Sequence, residues 1–159
     1  MGVQRLMVEV ERVVDAFHNA AFTTGDIDAA MALVSPDGGL ACLPVGVGAA
    51  GTEAMRRLLA EDLVPHLPAD LAFRRLSRTG DRWRVAQEDM VTFTHDRELP
   101  WLLPGVPATH RTAEVLAVSV VTVRRSLITS HRTLWDHAGL LSQLEIDTAD
   151  VRLPQPVAG

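Results

Sequence analysis

The chain reads as an α+β domain in which a curved antiparallel sheet is wrapped around a long N-terminal helix. Three observations carry that reading. Apolar residues near the start recur at spacings of three and four, the period of one helix face. From about residue 71 onward the period shortens to that of strands, with turn residues between the runs. One of those runs, "EVLAVSVV", is apolar on both parities, so both of its faces need cover.

Taken in order, the first helix is expected over residues 3–23. Val3, Leu6, Met7, Val10, Val13, Val14, Phe17, Ala20 and Ala21 share one face, while Glu9, Glu11, Arg12 and Asp15 hold much of the other. Gly25 ends it, and Asp26 is placed to cap a short second helix, "IDAAMALV", which stops at the turn "SPDGG". "LACLPV" has strand character. The link "GVGAAG" lacks the spacing of a dinucleotide fingerprint and leads to a third helix, "EAMRRLLAEDLV", closed at Pro65. Two strands then meet across a Gly80-Asp81 turn, "LAFRRLSR" and "RWRVAQEDMVTFTH". A loop with three prolines, residues 98–111, precedes the strands "TAEVLAVSVVTV" and "LITSHRTLWD", and a closing helix follows. No repeat or linker divides the chain, which is expected to form a single domain over residues 1–150 with a C-terminal tail at 151–159.

Composition removes several functions. A hydrophobic share of 47% over 159 residues suits one domain with a core, and no apolar run reaches the roughly 20 residues a membrane helix needs. A net charge of −5 argues against a nucleic-acid partner. All 15 basic residues are arginine, so a lysine Schiff base and a phosphate-cradling loop with its lysine are excluded. Tyrosine is absent as well, so an oxyanion would have to lean on a protonated carboxyl, a Trp or His N–H, an arginine or the backbone. The single cysteine, Cys42, excludes an intrachain disulfide and reads as buried filler. The histidines show no metal-ligand spacing, so no metal is expected. No leader pattern is visible in "MGVQRLMVEVERV", and the cytoplasm is the expected compartment.

The opening helix together with "FTTGDIDAAMALVSPD", "GVGAAGTEAMRRLL", "FTHDRELPWLLPGVPATHRTAEV" and the ending "WDHAGLLSQL" resembles the nuclear transport factor two-like superfamily. Within it, the chain is most similar to the SnoaL-like proteins, among them polyketide cyclases, with ketosteroid isomerase-like folds nearby. The resemblance implies a cone-shaped α+β barrel with an apolar pocket, and acid/base chemistry without a cofactor. The expected enzyme cyclises, isomerises or dehydrates a small hydrophobic, polyketide-like substrate. Epoxide opening and non-catalytic binding are the alternatives. A second subunit is a natural cover for the outer sheet face, although a strand central in a thick monomer core would read alike; a homodimer is expected.

The resemblance places Asp136, at the end of the last strand, where the cyclases keep an acid/base aspartate; an N-cap for the closing helix is the plain alternative. His131 and Arg132 are strand neighbours and must diverge. A regular strand puts Arg132 with Asp136, whereas a bulge could bring His131 to it. Of Glu88 and Asp89 one must face inward, and the resemblance favours Glu88. Trp101, in the sticky loop "LPWLLPGVP", is expected to stack on substrate. His95, Phe17 and Trp135 are further candidates for the pocket wall.

Overall fold

The computed structural model describes residues 2–153. Helix α1 spans Val3–His18 and continues through a wider turn, Asn19–Thr24, that Gly25 ends in the left-handed region at φ 66°. Val10, Val13, Val14 and Phe17 of α1 are buried, as their spacing requires. Helix α2, Ile27–Met31, is capped by Asp26, which accepts a hydrogen bond from the Ala29 N–H at 2.9 Å. Helix α3, Thr52–Arg57, likewise runs on into a wider turn, Leu58–Leu63. Helix α4, His137–Leu144, follows the last strand. Among the described residues no helix is long and apolar enough to cross a membrane.

Among the described residues six strands form one sheet: β1 Val34–Leu43, β2 Val47–Ala50, β3 Ala72–Gly80, β4 Arg84–Thr94, β5 Thr112–Arg124 and β6 Leu127–Trp135. Their order is β2-β1-β6-β5-β4-β3. This is the expected α+β fold, a long N-terminal helix with a curved sheet, and two details refine it. The sheet is mixed, because β1 runs parallel to β6. It also curves without closing, leaving β2 and β3 as edges, so the cone is open rather than a barrel. The glycine-rich link is itself strand β2, and the "SPDGG" turn is absorbed into β1. Close approach explains the second change: a Cβ at Gly38 would lie 2.6 Å from the carbonyl oxygen of Ile128 in β6.

Strand β4 fixes which face is inside. Val85, Gln87, Asp89, Val91 and Phe93 are buried on the concave face, and Arg84 and Glu88 are exposed on the other. On β5 and β6 the same layer holds Ala117, Ser119, Val121, His131, Thr133 and Trp135. A bulge between Ser130 and Ile128 opposite Thr122 and Val123 sits at the start of β6, and the register from Ser130 to Trp135 is regular. The outer face keeps Leu76, Val120 and Leu134 exposed. The proline loop packs into the core: Leu99, Trp101, Leu102, Leu103 and Val106 are all buried. Val151 is buried too, and Arg152 donates its N–H to the Pro104 carbonyl at 2.8 Å, so packing extends past the expected boundary at 150. Residues 154–159 of the expected tail lie outside the described residues.

Candidate functional site

A polar layer crosses the concave wall. The register sets Gln87 beside Ser119 and Ser119 beside Thr133, and in the next row Asp89 beside Ala117 and Ala117 beside Trp135. Ala117 carries no side chain beyond Cβ, so space opens between the Asp89 carboxyl and the Trp135 ring. That hollow is lined also by Val14, His18, Phe22, Phe73 and His131, and holds about 20 Å³, enough for a single water.

Asp89 is only 5% exposed, and among the described residues it is the only carboxylate buried to this degree. Burying it would be costly unless it were held, and Gln87 holds it. The Gln87 Nε2 donates to Asp89 Oδ2 at 3.0 Å. The orientation of that amide is set from behind, because Gln87 Oε1 accepts from Arg78 Nε at 3.1 Å and Nη2 at 2.8 Å. Arg78 in turn pairs with Asp15 on α1 at the surface, and holds the Asp15 carboxyl below its ordinary range. A ladder of charge and dipole thus runs from solvent to the buried acid.

Two imidazoles line the same hollow: His18 is near enough to feel the Asp89 charge, whereas His131 stands two rows away along the sheet. His18, on the last turn of α1, packs against Phe22 at 5.1 Å and Phe73 at 4.5 Å between ring centroids. Its pKa is lowered by burial, with the Asp89 charge opposing. His131 is 6% exposed and packs its ring 5.5 Å from Phe17. Burial, helped by His18, pushes it down to about 4. Both are therefore neutral imidazoles at neutral pH, able to donate one N–H and accept at the other nitrogen. The Nδ1 of His131 is buried without a protein partner. Ser119 and Thr133 share a hydroxyl hydrogen bond at 3.0 Å across the floor.

The structure divides the expected site residues. His131, Phe17 and Trp135 lie on the concave side, with His131 and Trp135 lining the hollow. Glu88 and Arg132 project from the outer face and are exposed, because they hold the other parity of β4 and β6. Asp136 is exposed and caps α4, accepting from the Gly139 N–H at 3.0 Å; with β6 regular, no bulge turns it toward His131. Trp101 is buried 5.6 Å from Trp135 and 6.3 Å from Phe22, behind the lining rather than in it. His95 ties down the loop: its Nδ1 accepts the Thr109 N–H at 3.3 Å, and its backbone pairs with Arg111 and His110. Cys42 is buried, and burial pushes its thiol up to about 12, which leaves it inert.

Sequence reasoning missed His18, Gln87, Ser119 and Thr133, and weighed Asp89 only as the lesser of two neighbours. The missing signals were present. His18 stands four residues after Val14 and four before Phe22, within the apolar stripe. Gln87 and Asp89 share the parity of Val85, Val91 and Phe93. Among the described residues no three His, Cys, Asp or Glu side chains converge as a metal site would require.

Comparison with known proteins matches this arrangement at the level of the fold. A protein from Jannaschia sp. CCS1 described as a SnoaL-like polyketide cyclase superposes with a TM-score of 0.72 at 15% identity, covering 92% of this chain and 99% of that one. A phenazine biosynthesis-related protein from Pseudomonas aeruginosa gives 0.69 at 14% identity, over 98% and 96%. An LEH-like epoxide hydrolase from M. tuberculosis gives 0.64 at 17% identity, over 87% and 91%. No curated protein matches the chain in sequence. The SnoaL-like domain model matches residues 14–131, from the α1 residue that borders the hollow to the buried histidine of β6. On that match, which spans most of the sequence, the chain belongs to the SnoaL-like domain family.

Proposed function

We propose that the chain is an acid/base enzyme acting on a small hydrophobic, oxygenated substrate, moving a proton during cyclisation, isomerisation or dehydration. The observation that carries this reading is Asp89, a buried carboxyl oriented by Gln87 that shares a small hollow with the neutral imidazoles of His18 and His131. In such a step Asp89 takes the proton from the carbon beside a carbonyl. A neutral His131 or His18 N–H steadies the oxygen as it gains charge, and the proton then returns to another atom. The family includes polyketide cyclases, which is consistent with this chemistry.

The hollow itself is too small for such a molecule. His18, Phe22 and Phe73 also border an outer cleft of about 640 Å³ between the end of α1 and the segment around Leu67 and Pro68. We assign the body of the substrate to this cleft, with Phe22 and Phe73 moving apart to admit its reacting end. The test is hydrogen–deuterium exchange at the α-carbon of 2-tetralone in D₂O, followed by NMR. Wild-type protein should accelerate exchange, and Asp89→Asn should abolish the acceleration. Binding of the ketone with no acceleration in either form would instead mark a binding protein.

One observation favours a second reading. The hollow has room for a water next to Asp89, and water activated there would open an epoxide. Hydrolysis of styrene oxide, absent from Asp89→Asn, separates this from proton transfer at carbon. We further propose that a second copy of the chain covers the outer face where Leu134 is exposed. Leu134→Glu should then sediment as a monomer where the wild type does not.

A further inference from the structure

The opposite end of α1 carries a second concavity, of about 670 Å³, that the proposed chemistry does not use. Its walls come from the first turns of α1, the β3–β4 turn and the β5–β6 turn. Leu6, Val8, Val10 and Val123 give it an apolar floor, and Arg5, Arg82, Arg124 and Arg125 surround it.

Trp83 stands in this groove and is unlike the other two tryptophans. Trp101 and Trp135 are buried, whereas Trp83 is 41% exposed. Its backbone is nonetheless fixed from both sides. The Trp83 N–H donates to Asp81 Oδ1 at 2.7 Å, and its carbonyl accepts from the Val123 N–H at 2.7 Å. Two guanidiniums are stacked on the ring, Arg82 at 3.8 Å and Arg124 at 4.9 Å from its centroid. The Arg124 Nη1 donates only to the carbonyls of Val123 and Trp83.

Charge is the second feature. None of Arg5, Arg82, Arg124 and Arg125 has a carboxylate within ion-pair distance among the described residues, although the chain as a whole is acidic. Glu9 is the one carboxylate lining the groove, and Arg12 already engages both of its oxygens, at 2.7 and 3.0 Å. Asp81 lies nearby, with its Oδ1 spent on the Trp83 and Arg84 N–H groups. The β5–β6 turn adds a third feature. It places Arg125 and Ser126 at φ 51° and 62°, a conformation that hairpins ordinarily reserve for Asn-Gly. An arginine is held there against local preference, at the rim of a positive groove.

From these features we infer a second binding site, for an organic anion with an apolar body: a carboxylate or phosphate seated among the four guanidiniums, its tail lying over Trp83 and the valine-leucine floor. The volume suits a small molecule, and guanidiniums without acid partners are the donors that oxyanions fit best. The inference stands apart from the proposed reaction, since Val10 of this groove and Val14 of the hollow are a helical turn apart and the two linings share no residue.

Calorimetric titration of the whole chain with decyl phosphate below its micellar concentration tests it. One saturable site is expected, with inorganic phosphate weaker by about tenfold or more and decyltrimethylammonium not bound. Arg82→Gln with Arg125→Gln, both exposed side chains, should weaken decyl phosphate by about tenfold or more, with circular dichroism unchanged. Three results overturn the inference: no saturable binding, equal affinity for the cationic probe, or affinity untouched by the double substitution. Phosphatidylglycerol vesicles distinguish a free ligand from a lipid headgroup. Co-sedimentation with them, in the absence of binding to monomeric decyl phosphate, would replace the small-molecule site by a membrane contact.

Discussion

Glu88 and Asp89 are consecutive carboxylates on one strand, and they live in different media. Glu88 is exposed on the outer face of β4, while Asp89 is 5% exposed, hydrogen-bonded to Gln87 and shut in behind Phe22 and Phe73. The side chains differ by one methylene, so composition cannot separate them. Position does. A strand sends neighbours to opposite faces, and here one face is water and the other a buried hollow, where electrostatic interactions are several times stronger. The same contrast recurs on β6, where His131 is inside and Arg132 outside.

The sharpest way to break this comparison is to neutralise each carboxylate in turn. Asp89→Asn should lower the rate of α-proton exchange by about a thousandfold, within the range general acid–base groups supply. Glu88→Gln should leave it within about twofold, since surface changes away from a site rarely matter. Rates from the same NMR assay decide it. Equal losses in both variants would mean that parity does not govern function here.

Parity was legible in the sequence, and it explains both what could be read and what was lost. The α1 stripe, the Asp26 cap, the β3–β4 pair and the final strand follow directly from local pattern, because each is specified by residues next to one another. The mixed sheet was not legible. Strand β1 pairs in parallel with β6, about ninety positions away, and no local signal announces such a partner. On β4 the odd positions, Val85, Val91 and Phe93, are apolar and identify the buried face, which makes Asp89 the inward acid. The resemblance pointed to Glu88 against that evidence. Asp136 had two readings because a strand-end aspartate before a helix serves equally as cap or acid, and only the direction of its side chain separates them.

A second prediction sets His131 against pH. Its pKa in the folded chain is pushed down to about 4, against about 6.5 when unfolded. Between these values the unfolded chain binds the proton and the folded chain does not, so the unfolding free energy falls as pH drops from about 6.5 toward 4. The share owed to this group is roughly 3 kcal/mol at the acid end. His131→Leu should remove that share, so the gap between wild-type and variant stability should shift by this amount across the window in urea titrations. A pH-independent gap would mean that His131 is protonated when buried.

Removing the support behind Asp89 should cost somewhat less. Gln87→Leu leaves the Arg78 fork and one Asp89 oxygen without their partner, a loss of about 2 kcal/mol for buried polar groups left unsatisfied. Arg78 can still pair with Asp15, which limits the damage. The informative readout is kcat for exchange beside KM, measured on folded protein. If Gln87 orients Asp89, kcat falls with KM kept; if Gln87 only packs, stability falls and kcat stays.

The smallest effect belongs to Asp136, the residue that the resemblance set in the acid/base role. Asp136 accepts the Gly139 N–H and faces water, so Asp136→Ala removes a helix cap and about 1 kcal/mol of stability. Asp136→Asn keeps an oxygen that can cap, and should cost only a fraction of that. Neither substitution should alter the exchange rate, because Asp136 is not among the side chains that line the hollow. Thermal unfolding and the NMR assay, run on both variants, separate the roles cleanly. A stable Asp136→Asn protein that has lost exchange would return the chemistry to the end of β6 and leave Asp89 as a structural acid.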